Sequence, residues 1–119
     1  MSAAYELLIK FYAGIKAWDK GLELSKKMMY AGDAAAVSAL FARGDILSAR
    51  ATETNSQDDR RDAFNAYAQV SLLFPKSSRA AEATFRAYQT LTTLNDARAN
   101  LFADKLKKDS PTSSYAQQL

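Results

Sequence analysis

The chain has 119 residues, with 16 Lys plus Arg against 13 Asp plus Glu, a net charge of +3, and neither His nor Cys. That length suits one domain that buries its own core without metal or disulfide staples. The missing residue types exclude imidazole bases and His metal ligands, Ser–His and Cys–His nucleophile systems, zinc knuckles, iron–sulfur clusters and disulfides.

Roughly one residue in five is alanine, well above ordinary usage. Leu is the next main apolar residue, Val and Ile are scarce, and Gly and Pro number only 4 and 2. Good helix formers fill the chain and β-branched apolar residues are few, so the composition predicts an all-α fold. No apolar run is long enough to span a bilayer. The opening Met1-Ser2-Ala3-Ala4-Tyr5-Glu6 lacks the basic region and apolar stretch of a signal peptide. Absence of cysteine fits a cytoplasm or a bacterial envelope equally.

Taken in chain order, the first predicted helix covers about residues 3–17. Tyr5, Leu8, Tyr12 and Ile15 recur at helical spacing, with Leu7 and Phe11 beside them. Leu7 and Phe11 either pack on the next helix or cover something else, an upstream element or a second subunit. A second helix is predicted over 19–30, carrying Leu22, Leu24, Met28 and Met29. Gly32 suits a left-handed stop and Asp33 the N-cap of a third helix over 34–52, with Gly44 as a bend or brief break and Asp45 as a restart.

Residues 54–59, Thr-Asn-Ser-Gln-Asp-Asp, read as a polar linker. A fourth helix over 59–74 buries Ala63, Tyr67, Val70 and Phe74, and Pro75 stops it. Ser77 or Ser78 is expected to cap a fifth helix that runs to about residue 94. Asn95-Asp96 turns the chain into a sixth helix ending near Lys108, Pro111 closes it, and a partial helix occupies 112–119.

The most informative feature is an internal repeat. Phe74-Pro75-Lys76-Ser77-Ser78-Arg79-Ala80 recurs 36 residues later as Ser110-Pro111-Thr112-Ser113-Ser114-Tyr115-Ala116. Counting back from each proline pairs Ala63 with Ala99, Tyr67 with Ala103 and Val70 with Leu106. A small residue lets the second helix of a pair lie close on the first. Apolar residues a turn or two later fill the groove, proline ends the helix, and serines start the next. A pair with such a face hides only part of its apolar surface, so pairs must stack.

The pattern resembles the tetratricopeptide repeat, and more closely its bacterial-envelope variety, where a helix ends in aromatic-Pro-x-Ser-x-x-Ala before an Ala-rich helix. Phe74-Pro75-Lys76-Ser77-Ser78-Arg79-Ala80-Ala81-Glu82-Ala83 carries the likeness. That variety includes outer-membrane barrel-assembly lipoproteins and Tol–Pal coordinators. The likeness covers about residues 59–119 with moderate specificity and 4–50 weakly, and the 54–59 linker is longer than a standard repeat allows. It implies a right-handed α-α superhelix of about three hairpins, near 3–31, 33–75 and 77–109, plus the terminal partial helix. The domain is then expected to be the C-terminal part of a longer protein. Its place would be the periplasm or outer membrane, touching a membrane only through a parent protein or partner; without the likeness, the cytoplasm.

In such a stack the first helix of each pair lines a concave face. Glu6 and Lys10, Arg43, and the stripe Arg79, Glu82, Arg86 and Gln89 are then the candidate contacts for an extended peptide or partner helix. The paired Lys and Asn of the repeat family's carboxylate clamp are not found. Leu7 and Phe11 are candidates for self-association, as a homodimer through the first helix. The aromatics Trp18, Tyr12, Phe41, Tyr67, Phe74, Phe85 and Tyr88 are expected mostly in the core, with Phe85 or Tyr88 partly exposed. Asp58-Asp59 is expected to cap a helix rather than hold a metal, and no phosphate-binding glycine loop exists.

The functional expectation is a non-catalytic scaffold or adaptor that binds a protein or peptide, with no cofactor, no metal and no small-molecule substrate. The alternative is a helical binder of nucleic acid or an anionic surface through Lys26, Lys27, Lys105, Lys107 and Lys108. It requires those lysines to share one face. The acids that flank each run argue for solvated helix faces instead.

Overall fold

The computed structural model describes residues 2–119, with side chains from Leu7 onward. Glu6, one of the candidate contacts, therefore lies outside the described side chains. Seven helices follow in order among the described residues, without a strand: α1 (Ser2–Gly14), α2 (Trp18–Met28), α3 (Asp33–Thr54), α4 (Gln57–Leu73), α5 (Ala80–Thr93), α6 (Ala99–Asp109) and α7 (Ser114–Gln117). Each of α1 to α6 packs on the next. In addition α1 touches α3, and α7 rests on α5 and α6. The radius of gyration, 13.9 Å, is close to the roughly 13.5 Å of a compact domain this long.

The turns follow from local chemistry. Gly32 takes φ +112° at the entry to α3, a conformation that a side chain disfavours. It, not Asp33, occupies the N-cap position, and Asp33 joins the first helical turn, where a carboxylate complements the helix dipole. Leu73 ends α4, and Pro75 follows two residues on. The Phe74 N–H donates to Val70 with backbone angles −125°, 55°. Ser110, before Pro111, does the same toward Leu106 with angles −143°, 56°. The turns then continue alike, Ser77 N–H to Phe74 O at 3.0 Å and Ser113 N–H to Ser110 O at 3.1 Å. The 36-residue sequence repeat is thus also a repeat of backbone geometry as far as Ser77 and Ser113; beyond them α7 begins at once, capped by Ser113, whereas α5 begins only at Ala80.

Several expected boundaries shift for physical reasons. The 54–59 segment is not a long linker. Asn55 turns left-handed (φ 54°), Ser56 caps α4 by accepting from the Asp59 N–H at 3.1 Å, and the polar residues that follow are already helical. Gly44 does not break α3, which runs unbroken for 22 residues. Arg79, rather than Ser77 or Ser78, is the N-cap of α5, while the Ser77 hydroxyl accepts from the Arg79 N–H at 3.1 Å.

The main core joins α3, α4 and α5 through Val37, Leu40, Phe41, Leu47, Phe64, Tyr67, Val70 and Leu91. The repeat-related pairs follow the expected pattern. Val70 and Leu106 are fully buried, Tyr67 and Ala103 are buried, and Ala63 is fully buried while Ala99 packs at the core edge. A smaller core of Ile9, Met28, Ala39 and Ile46 fastens α1 and α2 to α3. Here the expected register of α1 is corrected. Ile9 is the buried anchor, flanked by half-buried Tyr12 and Ala13, whereas Leu8 and Ile15 are exposed. Leu7 and Phe11 do not pack on the next helix: they are 69% and 58% exposed.

Candidate functional site

A concave pocket of about 310 Å³ opens where α1, α3 and the start of α5 meet. Its apolar lining comes from Ile9 and Ala13 of α1 and from Phe41, Ala42 and Ile46 of α3. Its polar rim is Lys10, Ser38, Asp45 and Arg79. The α3 residues lie three, four and seven positions apart, which places them on one helical face. Alanines at 13 and 42 leave the hollow that larger side chains would fill.

The rim is tied to the core through aromatic rings. The Arg79 guanidinium sits 3.7 Å from the centre of the Phe41 ring. Phe41 meets Tyr67 edge-on, with centroids 5.8 Å apart. The Tyr67 hydroxyl then donates to Asp45 Oδ1 at 2.5 Å. Crowding by the surrounding chain raises the Asp45 pKa above the usual carboxylate value, despite the Tyr67 donor and the nearby Arg86 and Arg79. Part of Asp45 still reaches solvent, so this carboxylate stands at the pocket edge rather than inside the core. Burial, reinforced by the Asp45 charge, pushes the Tyr67 phenol well above its ordinary range, which keeps it a donor.

Beyond Arg79 the stripe continues along α5. Glu82 lies 3.5 Å from Arg79 and 3.8 Å from Arg86, and Arg86 donates to Gln89 at 3.3 Å. These partly exposed pairs add at most about 1 kcal/mol each to stability.

Of the candidate contacts, Lys10 and Arg79 share the pocket, and Glu82, Arg86 and Gln89 extend from it. Arg43 does not belong there. It points to the other side of α3, into a cleft with α2 and α4. Its position two residues beyond Phe41 turns it about 200° around the helix, away from the pocket. Asp45 is a site residue that sequence reasoning missed, because it was assigned to restarting a helix at Gly44. Phe85 is buried and Tyr88 half-buried, with Phe85 also against Tyr115 of α7 at 5.5 Å.

The lysines of the alternative reading are divided. Lys26 and Lys27 end α2, whereas Lys105, Lys107 and Lys108 belong to α6, with three helices between them in the packing order. Lys105 is also paired with Asp109 at 2.7 Å. Asp58 and Asp59 start α4; Asp59 binds Arg50 and Asp58 binds Arg61. Among the described residues no three acidic side chains gather as a metal site, and no helix is long and apolar enough to cross a membrane. No protein-family model matches the chain, and no curated protein or solved structure does either.

Proposed function

We propose that this protein is a non-catalytic interaction module whose α1–α3–α5 face holds an extended peptide or a partner helix. The observation that carries the reading is the pocket itself, an apolar hollow of about 310 Å³ rimmed by Lys10, Asp45 and Arg79. A small preformed apolar pocket with a few placed charges suits one anchoring side chain, with hydrogen bonds fixing register. The charged stripe from Arg79 to Gln89 continues the track for a longer ligand.

The finer architecture belongs to the same proposal: a right-handed tetratricopeptide-like stack of three hairpins. The matching turns after Phe74 and Ser110 support it, as does the placement of α1, α3 and the start of α5 around one pocket. A role as scaffold or adaptor in a bacterial envelope assembly rests on the sequence likeness alone.

The test is selection of binding peptides from a random displayed library on the purified protein, repeated with Lys10→Glu plus Arg79→Glu. The reading expects a family of peptides sharing an apolar anchor, lost in the double variant. Selected peptides indifferent to both changes would place recognition elsewhere.

A further inference from the structure

On the opposite side of α3 lies a second cleft, about 420 Å³ in volume, between α2, α3 and α4. Its lining is Ser25, Lys26, Met29, Tyr30, Ala39, Leu40, Arg43 and Gln69, without one carboxylate. Ala39 and Leu40 are almost wholly buried and form the floor with Met29, while Tyr30 stands 86% exposed at the mouth. Among the described residues neither Lys26 nor Arg43 forms an ion pair or a side-chain hydrogen bond.

Lys26 has a local reason to be cationic: it ends α2, where positive charge offsets the helix dipole. Arg43 has none. It lies in the middle of α3, where the dipole offers nothing, and it stands exposed to solvent at the cleft edge with no carboxylate in the lining.

The geometry points to a second, independent binding surface in this cleft, one that takes an acidic peptide segment carrying an aliphatic anchor. The aliphatic side chain would sit on Ala39, Leu40 and Met29. Its flanking carboxylates would meet Lys26 and Arg43, the guanidinium in bidentate fashion. Tyr30 would cover the anchor from the mouth, and Gln69 would hydrogen-bond the peptide backbone. Peptide fits better than nucleic acid because a phosphate backbone is held by a series of cations. Here two cations flank an apolar strip and one aromatic ring stands at its edge.

The test uses the whole chain and a short fluorescent peptide of glutamate and leucine, followed by anisotropy. Three companions accompany it: the same peptide with glutamine for glutamate, a labelled oligothymidine, and the protein variants. Lys26→Glu plus Arg43→Glu is expected to weaken the glutamate peptide about tenfold or more, with Lys26→Gln plus Arg43→Gln intermediate. Lys10→Gln plus Arg79→Gln, on the other face, is expected to leave it within about twofold, since distant sites act independently and the change in overall charge is small. Circular dichroism confirms that each variant stays helical. The inference fails if the glutamate peptide does not bind, if the glutamine peptide binds as well, if the Lys10/Arg79 variant is the one that loses it, or if oligothymidine displaces it.

Discussion

Tyr67 packs against Gly44, and its hydroxyl donates to Asp45, the next residue of α3. A Cβ at Gly44 would stand 2.6 Å from the Tyr67 ring, closer than carbon atoms approach. The missing side chain therefore lets α4 lie close on α3 and lets a core tyrosine reach through to the rim of the pocket. One small residue connects helix packing with the candidate site.

Gly44→Ala is accordingly expected to destabilise the fold, although alanine is the better helix former by about 1 kcal/mol. Displacing a packed ring costs about 1–3 kcal/mol, and the ring is attached to a buried tyrosine that cannot swing aside. Gly14→Ala is the control. Nothing lies within 4 Å of its would-be Cβ, so it is expected to stabilise by about 0.4–1 kcal/mol. Urea denaturation of both variants checks the opposite signs.

Tyr67→Phe removes the donor to Asp45 and keeps the ring. A loss of about 1 kcal/mol is expected, the ordinary size of one hydrogen bond. Asp45→Asn keeps an acceptor for Tyr67 and removes the charge, so it is expected to be the milder change. Thermal melts of the two variants at neutral pH test that order.

Two displaced carboxylates, Asp45 and Asp96, predict opposite pH dependences. Asp45 has a raised pKa, so its contribution is fully present below the ordinary carboxylate value and is lost as pH rises through the raised one. Asp45→Asn should thus gain on the parent protein as pH climbs from about 3 to neutrality. Asp96 accepts from the Arg98 guanidinium and backbone and is lowered to about 2. Its contribution is present above the ordinary value and lost as pH falls toward 2. Asp96→Asn should show a smaller loss of stability between about pH 4 and 2. Denaturant melts across pH 2–7 would read both slopes; matching slopes in variant and parent would contradict the assignment.

Arg50 and Asp59 fasten the α3–α4 turn with two parallel hydrogen bonds, Nε to Oδ2 at 2.8 Å and Nη2 to Oδ1 at 3.0 Å. Both side chains are substantially shielded, so this pair exceeds the surface-bridge value. Asp59→Ala is expected to cost about 1.5–3 kcal/mol. Asp58→Ala removes only an exposed partner of Arg61 and is expected to cost under about 0.5 kcal/mol. Comparing their denaturation midpoints checks the contrast.

The sequence was legible where one residue type forces one geometry. Pro75 and Pro111 marked two helix ends, and the spacing of Ala63, Tyr67 and Val70 a buried face; Gly32 does take a positive φ, but as the N-cap of α3 rather than as the stop of α2. It was misleading where apolar residues surround a helix. Between Leu7 and Ile15 six large apolar side chains compete for one buried stripe, and periodicity favoured Leu8 and Ile15 over Ile9. In α3 the apolar residues occupy nearly the whole circumference, because that helix packs on α1, α2 and α4. Which side Arg43 takes is then set by tertiary packing alone. The polar run at 54–59 concealed a helix start, since N-terminal turns prefer Ser and Asp as linkers do. Asp45 was invisible as a site residue because its partners Tyr67, Arg79 and Arg86 lie 22 or more positions away.

The most direct measurement for the interaction-module account is the affinity of a library-selected peptide, by calorimetry, for the parent protein and two variants. The account predicts at least about a tenfold loss with Lys10→Glu plus Arg79→Glu, and an unchanged affinity with Arg43→Glu. Loss with Arg43→Glu and none with the α1–α5 variant would contradict it and move recognition to the far side of α3.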